Sequence, residues 1–354
     1  CIRDRLVLVS ARDRAGRKTS WFHDELGRVL AVREPSGRTA SLQWCDCGSL
    51  EALVDGEGNV TRWERDLAGR VTREIRADGS AFVYAYDEAT GRVMQIEDPK
   101  GQLAKYDYYV DDALERVRYT DDADQELMPG VSFTYDPYYA RLETRTDATG
   151  TTRYAYKPIE VPPTHGAGKL ESIDGPLAGD LLTYGYDALQ RVDEMSVGGI
   201  AWTREFDAIG RVREHTNPLG RFRYDYDAAS ARPTLLTYPN GQSTTVEYYG
   251  ESGDDRVEVV THRGPEGSSL ARHRYAYDAR GNVVTWERGD ATSTGDRYRL
   301  HYDRSEQLIG ATLETSEAMP SVLARYAYDY DNAGNRTTEQ VDDAPLAALY
   351  NDLN

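Results

Sequence analysis

"FVYAYDEATGRV" occupies residues 82–93. Tyr84 and Tyr86 stand two apart, Asp87 follows, and a short polar stretch leads to Gly91, Arg92 and Val93. Residues i and i+2 share one face of a strand, so both rings point the same way before Asp87 opens a turn. The phrase returns as "LTYGYDALQRV" at 182–192, with Tyr184, Tyr186 and Asp187, and as "HRYAYDARGNV" at 273–283, with Tyr275, Tyr277, Asp278 and Gly281.

The Asp of this phrase serves as a ruler. It falls at Asp24, Asp46, Asp66, Asp87, Asp111 and Asp136, then at Asp187, Asp207, Asp227, Asp278, Asp303 and Asp331, with Asn351 in the same place near the end. Most gaps are 20–25 residues. The long gaps hold degenerate copies, with Lys157 or Gly250 where Asp is expected.

Each period reads strand, turn, strand, turn. In "GNVTRWERDLAGRVTREIRADGS", residues 58–80, two alternating runs are separated by turn residues, which is the hairpin signature. The first turn is Asp-x-x-Gly, as in Asp207 to Gly210 and Asp331 to Gly334. Its Asp can bond the backbone of its own turn, and its Gly supplies the positive φ that closes a type I turn with a bulge. The second turn often carries Pro and Gly, as in "EPSG" (34–37), "DPKG" (98–101), "NPLG" (217–220) and "YPNG" (238–241). Arg28, Arg70, Arg92 and Arg211 follow the turn Gly and read as aids to register beside the Asp. Glu115, Gln190 and Glu306 stand where the Gly belongs and predict other turn geometries. Stacked hairpins would align the tyrosines in cross-strand rows, each pair contributing about 0.2–1 kcal/mol.

Composition agrees with a sheet that has little dry core. Hydrophobic residues are 39% of the 354, and there are 26 Tyr against 5 Phe. A tyrosine ring packs while its hydroxyl stays wet. The net charge of −18 repels nucleic acid and anionic membranes on average. No run reaches the length of apolar residues that spans a bilayer. The sequence starts without Met and stops inside a repeat, so it reads as an excerpt from a longer chain. Cys1, Cys45 and Cys47 form no disulfide framework. Cys45 and Cys47 read as small residues beside a turn, two thiolates being too few ligands for zinc.

These phrases resemble the YD repeats of RHS proteins over nearly the whole chain, about Trp21 to Asn351. The resemblance implies an all-β fold: tandem antiparallel β-hairpin repeats of about 20–25 residues forming a spiralling sheet, an open strip or part of a hollow shell. Residues 1–354 are expected to form a single continuous array, with an irregular Pro/Gly-rich hairpin or loop at 157–180. The family includes bacterial shells around a toxic C-terminal part, the shells of animal teneurins, and insecticidal toxin complexes. The expected function is therefore a structural shell segment that encloses or displays a C-terminal effector, secreted or at the cell envelope. Its partners would be the remainder of its own polypeptide. The alternative is a cell-surface adhesion module that binds glycans or a surface protein through Trp44, Trp63, Trp202 and Trp286.

Chemistry is not expected of this segment. The family's self-cleavage uses Asp residues in a later region, and Asp98-Pro99 lies within the array, where it reads as a hairpin turn. The six His are scattered and form no H-E-x-x-H. The acidic run at 121–126 lacks EF-hand order. No catalytic, cofactor or metal residue is assigned, and no cofactor is implied.

Overall fold

The computed structural model describes residues 2–4, 7–13, 16–290, 295–331 and 334–348, so the expected repeat residue Asn351 lies outside the described residues. Among them are 31 β-strands and a single three-residue 3-10 helix, Glu251–Gly253. The chain falls into two compact units. The first holds Cys1–Tyr84, Asp98–Lys100 and Thr244–Asn354; the second holds Ala85–Glu97 and Gly101–Ser243. Within each unit the strands pair antiparallel with their chain neighbours, as Val60–Arg65 does with Val71–Ile75 and Ile200–Phe206 with Val212–Asn217. The all-β hairpin fold read from the repeats is the observed one.

Turns alternate between the two ends of the strands. The Asp turns lie at one end; the return turns, such as Glu34–Gly37 and Asp98–Gly101, lie at the other. In a standard Asp turn two backbone bonds close the loop: Asp66 N–H to the Arg70 carbonyl and Gly69 N–H to the Asp66 carbonyl, both 3.0 Å. Gly69 takes φ 82°, and the pairing register slips between Glu64 and Arg65. That is the type I turn with a bulge which the Asp-x-x-Gly spacing predicts.

Several assignments along the ruler are corrected by this closure pattern. Cys45, not Asp46, opens its turn, because Cys45 N–H bonds the Ser49 carbonyl. Tyr109 replaces Asp111, and Tyr249 replaces Gly250, by the same test. The predicted change of turn geometry does not occur at Gln190 or Glu306: they adopt φ 64° and 67°, the conformation a Gly takes elsewhere. Glu115 lies inside the strand Leu114–Thr120, and Asp112, with φ 73°, fills the glycine position. Sequence reasoning took the absence of Gly as a change of shape, whereas the flanking ladders impose the shape on whatever residue is there.

Residues 157–169 form an enlarged Asp turn. Lys157 N–H still bonds the Lys169 carbonyl at 2.9 Å, and pairing resumes with the strand Leu170–Asp174.

The dry core is small. Among the described apolar residues the buried ones are Ala52, Leu103, Val117, Val259 and Ala311. Alternation is nevertheless clear: Tyr84 and Tyr86 are half-buried while Val83 and Ala85 are exposed. Glu314 is a buried carboxylate held by Arg297 and Arg299, each at 2.6 Å.

Within the first unit, return turns near the start meet Asp turns near the end. The Arg17 guanidinium pairs with Asp254 at 2.7 Å across 237 residues, and Arg304 N–H bonds Glu57 at 2.8 Å across 247. Arg38 lies 3.6 Å from Glu306. This is a seam between turn tips, made by side chains and one backbone N–H.

Two substitutions isolate the backbone requirement. A Cβ at Gly69 would meet no atom within 4 Å, so Gly69→Ala costs only left-handed strain, about 1–2 kcal/mol in denaturant unfolding. Glu306→Gly relieves the same strain, which outweighs the partly exposed 3.6 Å pair with Arg38 that it also removes, and raises the unfolding midpoint. Equal midpoints for both variants and the parent would contradict the strained-turn account.

Candidate functional site

The recurring site is a cluster at the Asp-turn end of each hairpin. Four atoms or groups meet there: the turn Asp, the Arg that follows the turn, the aromatic ring just before the next turn, and a backbone carbonyl. Asp207 shows the first half. Its Oδ1 accepts from the N–H groups of Ile209 (3.0 Å) and Arg211 (2.9 Å), and its Oδ2 accepts from Arg211 Nε at 2.6 Å. Asp187 is bonded in the same way by Leu189 and Arg191. Asp24 and Asp66 repeat it with Arg28 and Arg70.

Arg211 then reaches past its own hairpin. Its guanidinium sits 4.4 Å from the ring centroid of Tyr226, and Nη1 donates to the Ala228 carbonyl at 2.7 Å. Tyr226 Oη in turn donates to the Val212 carbonyl at 2.6 Å. One guanidinium thus joins two successive hairpins, and one hydroxyl ties them back together. The set recurs: Arg92 over Tyr108 with Tyr108 Oη on Val93, Arg141 over Tyr156 with Tyr156 Oη on Leu142, and Arg256 over Tyr277 with Tyr277 Oη on Val257. Tyr186 bonds the Leu170 carbonyl under Lys169, while Arg191 stacks on Phe206 at 4.0 Å. Stacking of a cation on an aromatic face contributes about 0.5–1 kcal/mol at such wet sites.

The arginines are therefore connectors and not merely aids to register. The expected rows of contacting tyrosines are replaced at this edge by rings alternating with guanidinium groups. Ring-on-ring rows do occur farther along the strands, as in His273, Trp286 and Tyr298, with the last two stacked at 5.1 Å. Where the Asp position holds Tyr, the bridge changes chemistry. Tyr109 packs edge-on against Tyr135 at 6.2 Å and bonds the Phe133 carbonyl; Tyr249 does so with Tyr277 and the Tyr275 carbonyl.

The remaining sequence-assigned positions fall into the same scheme. Asp278 accepts from the N–H groups of Arg280, Gly281 and Asn282, with Asn282 in place of Arg. Asp331 accepts from Asn335, and Gly334 has φ 87°. Asp87 accepts from Ala89 and Thr90, its turn being longer by the residue that delays Gly91. Tyr184 and Tyr275 lie three places before their turns, opposite Met195 and Trp286. Sequence reading missed the reach of Arg to the next hairpin; the recurrence of Arg28, Arg92 and Arg211 before an aromatic some 15 residues on was the signal available.

The tryptophans offered as a glycan surface are half-buried. Trp44 Nε1 donates to the Val29 carbonyl at 2.7 Å, and Trp63 Nε1 to Glu74 at 3.2 Å. Asp121 and Asp124 of the acidic run bond Gln125 N–H and Lys105. Among the described residues no group of three or more His, Cys, Asp or Glu side chains is placed to hold a metal ion. No helix among them is long and apolar enough to cross a membrane.

Comparison with known proteins agrees with this geometry. The family model described as RHS Repeat matches residues 206–245, the stretch that contains Asp207, Arg211 and Tyr226. Double-stranded DNA deaminase toxin A of Burkholderia cenocepacia is 27% identical over 92% of this chain, and the chain spans 20% of that protein. Teneurin-4 of Mus musculus is 23% identical over 97% of the chain, which spans 13% of it. Among solved structures, the Photorhabdus luminescens Tc holotoxin pore shares the fold at a TM-score of 0.66 and 17% identity, covering 92% of this chain and 19% of that one. The TcdB2-TccC3-TEV crystal structure does so at 0.65 and 16%, with the same shares covered. Residues 206–245 thus match an RHS repeat, and the chain shares its fold with a part of the much longer Tc toxin chains.

Burial and bonding move the ionisation of these groups. The Arg191 backbone N–H, then its guanidinium and Leu189 N–H, hold the Asp187 carboxyl below its usual range against a desolvation that pushes it up. Tyr138 N–H and Arg141 do the same for Asp136. Burial raises the Tyr186 phenol, with Tyr184 nearby adding to it.

A carboxyl whose folded value is depressed stabilises the fold fully above its unfolded value, about 4, and loses that contribution as pH falls through the folded value. A raised tyrosine stabilises below about 10 and loses its contribution as pH climbs through the folded value. Burial also lowers the His215 and His273 imidazoles, so the unfolded chain takes up protons before the folded one once pH drops below about 6.5. The thermal midpoint therefore falls below pH about 6.5, falls further below about 4, and falls again above about 10; a midpoint unchanged down to pH near 2 would sink the Asp network. Tyr226→Phe removes one hydroxyl bond and lowers stability by about 1 kcal/mol. Arg211→Lys keeps the charge but not the fork, and destabilises nearly as much as Arg211→Ala.

Proposed function

We propose that this chain is a stretch of shell wall in a longer RHS-repeat polypeptide, one that encloses or displays a C-terminal effector part, and that the stretch itself performs no catalysis. The observation that carries this reading is the use of Asp, Arg and Tyr. Turn after turn, the ionisable side chains that could do chemistry are committed to joining one hairpin to the next. A wall needs such joints, because a repeat array is held by neighbour contacts and not by a central core.

The relatives support the same reading at the level of the whole polypeptide: this chain matches about a fifth of the length of a deaminase toxin in sequence and of the Tc toxin chains in fold. The partner is then the remainder of the same polypeptide. A secreted or envelope location fits the relatives, which include a toxin and a teneurin.

Limited proteolysis of the full polypeptide tests the proposal. While the wall is folded, the part that follows this chain resists protease. In a variant with Asp207→Ala and Arg211→Ala together, the wall loosens and that part is digested several-fold faster. Equal digestion rates in the two proteins would refute enclosure.

A further inference from the structure

Cys45 and Cys47 are joined in a disulfide, contrary to the reading of two unlinked small residues. The bond sits in an Asp turn, with Cys45 in the Asp position and Cys47 two residues on, their Cα atoms 5.2 Å apart. Cysteine counting did not find it because an odd total argues against a framework, while the tight turn brings this one pair together locally.

Three features make this bond unlike a staple. First, the turn is closed without it. Cys45 N–H bonds the Ser49 carbonyl and Gly48 N–H the Cys45 carbonyl, both at 3.0 Å, the same two bonds that close the sulfur-free turn at Asp66. Second, the ring it closes spans a separation of only two residues, and so short a loop gains least from cross-linking. Third, Cys47 is exposed while Cys45 is half-buried, so an incoming thiolate meets one sulfur before the other.

The surroundings of Cys45 suit a leaving thiolate. Its Sγ accepts from Ser49 N–H at 3.3 Å, which is the bond a turn Asp carboxylate accepts from the residue four places on, as Asp66 does from Arg70. The Arg28 guanidinium stands beside it, donating to the Cys45 carbonyl at 3.2 Å and lying 5.7 Å from the Trp44 ring centroid. That guanidinium is itself paired with Asp24 at 2.7 Å, so the group that meets the departing sulfur is the Ser49 N–H.

We propose that Cys45–Cys47 is a thiol–disulfide exchange site that reacts with small thiols of the glutathione class while the hairpin stays folded. A thiolate RS⁻ attacks Cys47 Sγ; the Cys45–Cys47 bond breaks and its electron pair leaves on Cys45, whose Sγ accepts from the Ser49 N–H. A second RS⁻ attacks the outer sulfur of the mixed disulfide, releasing RSSR and the Cys47 thiolate. The net reaction is one protein disulfide and two RSH giving two protein thiols and RSSR. The reverse, with RSSR as oxidant, restores the bond. This inference does not rest on the shell reading.

The test uses the whole chain with Cys1→Ser, so that Cys45 and Cys47 are the remaining thiols. In native buffer with reduced glutathione, alkylation and mass spectrometry should find both cysteines labelled while circular dichroism and the thermal midpoint stay as in the oxidised protein. With reduced glutathione and rapid acid quenching, the mixed disulfide should form on Cys47 at about ten times the rate at which it forms on Cys45. Cys45→Asp, which recreates the standard turn, should fold as the parent does. Labelling seen only after denaturation, or reduction that unfolds the hairpin, would overturn the proposal and make the bond a structural staple. Equal adduct rates would overturn the assigned direction of attack.

Discussion

A single guanidinium shared between two hairpins is the contact on which the rest of this structure depends. A β-hairpin alone is marginal in water, and stacking hairpins edge to edge yields only a one-layer sheet. Arg211 shows how the array manages with so little buried apolar surface: the charge is held by Asp207 on its own turn, the planar face lies on Tyr226 of the next, and an N–H reaches that turn's backbone. Lysine could supply the charge but neither the stacking plane nor the fork. The tyrosine hydroxyl completes the joint by bonding a carbonyl just past the end of the ladder, where the sheet would otherwise begin to open.

This joint explains the odd composition. A chain with 26 Tyr and 5 Phe is not simply short of hydrophobes. The ring must carry a hydroxyl to reach the Val212, Val257 or Leu170 carbonyl, and Phe206, which lacks one, accepts Arg191 by stacking alone. The acidity is likewise partly structural, since turn aspartates are spent on backbone N–H groups and on arginine. Tyr109 and Tyr249 show that the requirement is for a bridge and not for particular letters: with Tyr in the Asp position, the ring itself spans to the next hairpin.

Much of this was legible because it is local. Period-two alternation, the Asp-x-x-Gly turn and the repeat length all lie within about 25 residues, and each has a backbone cause. The errors are equally instructive. Letter matching placed the ruler on Asp46 and Asp111, one or two residues from the true openings at Cys45 and Tyr109, because turn closure is a backbone property that tolerates many side chains. Gln190 and Glu306 looked like exceptions for the same reason. The Arg–aromatic joint needed the spacing between hairpins, which comes from strand pairing and not from any one repeat. The seam between Arg17 and Asp254 lies beyond pattern reading altogether. Its partners are 237 residues apart, and no local pattern marks either of them.

That division has a consequence for how one fold appears in polypeptides as unlike as a DNA deaminase toxin, a teneurin and the Tc toxin chains. If the joints were in a central core, a change on either face of the sheet would be felt through packing. Here they sit at the turns, and among the described residues few side chains on the faces are fully buried. The faces can therefore vary with little cost to the joints, as the row of His273, Trp286 and Tyr298 on one stretch and Val83 with Ala85 on another already do. What recurs along this chain is the edge chemistry of Asp, Arg and Tyr, and an edge repeated in this way specifies the array of hairpins without specifying what its faces do.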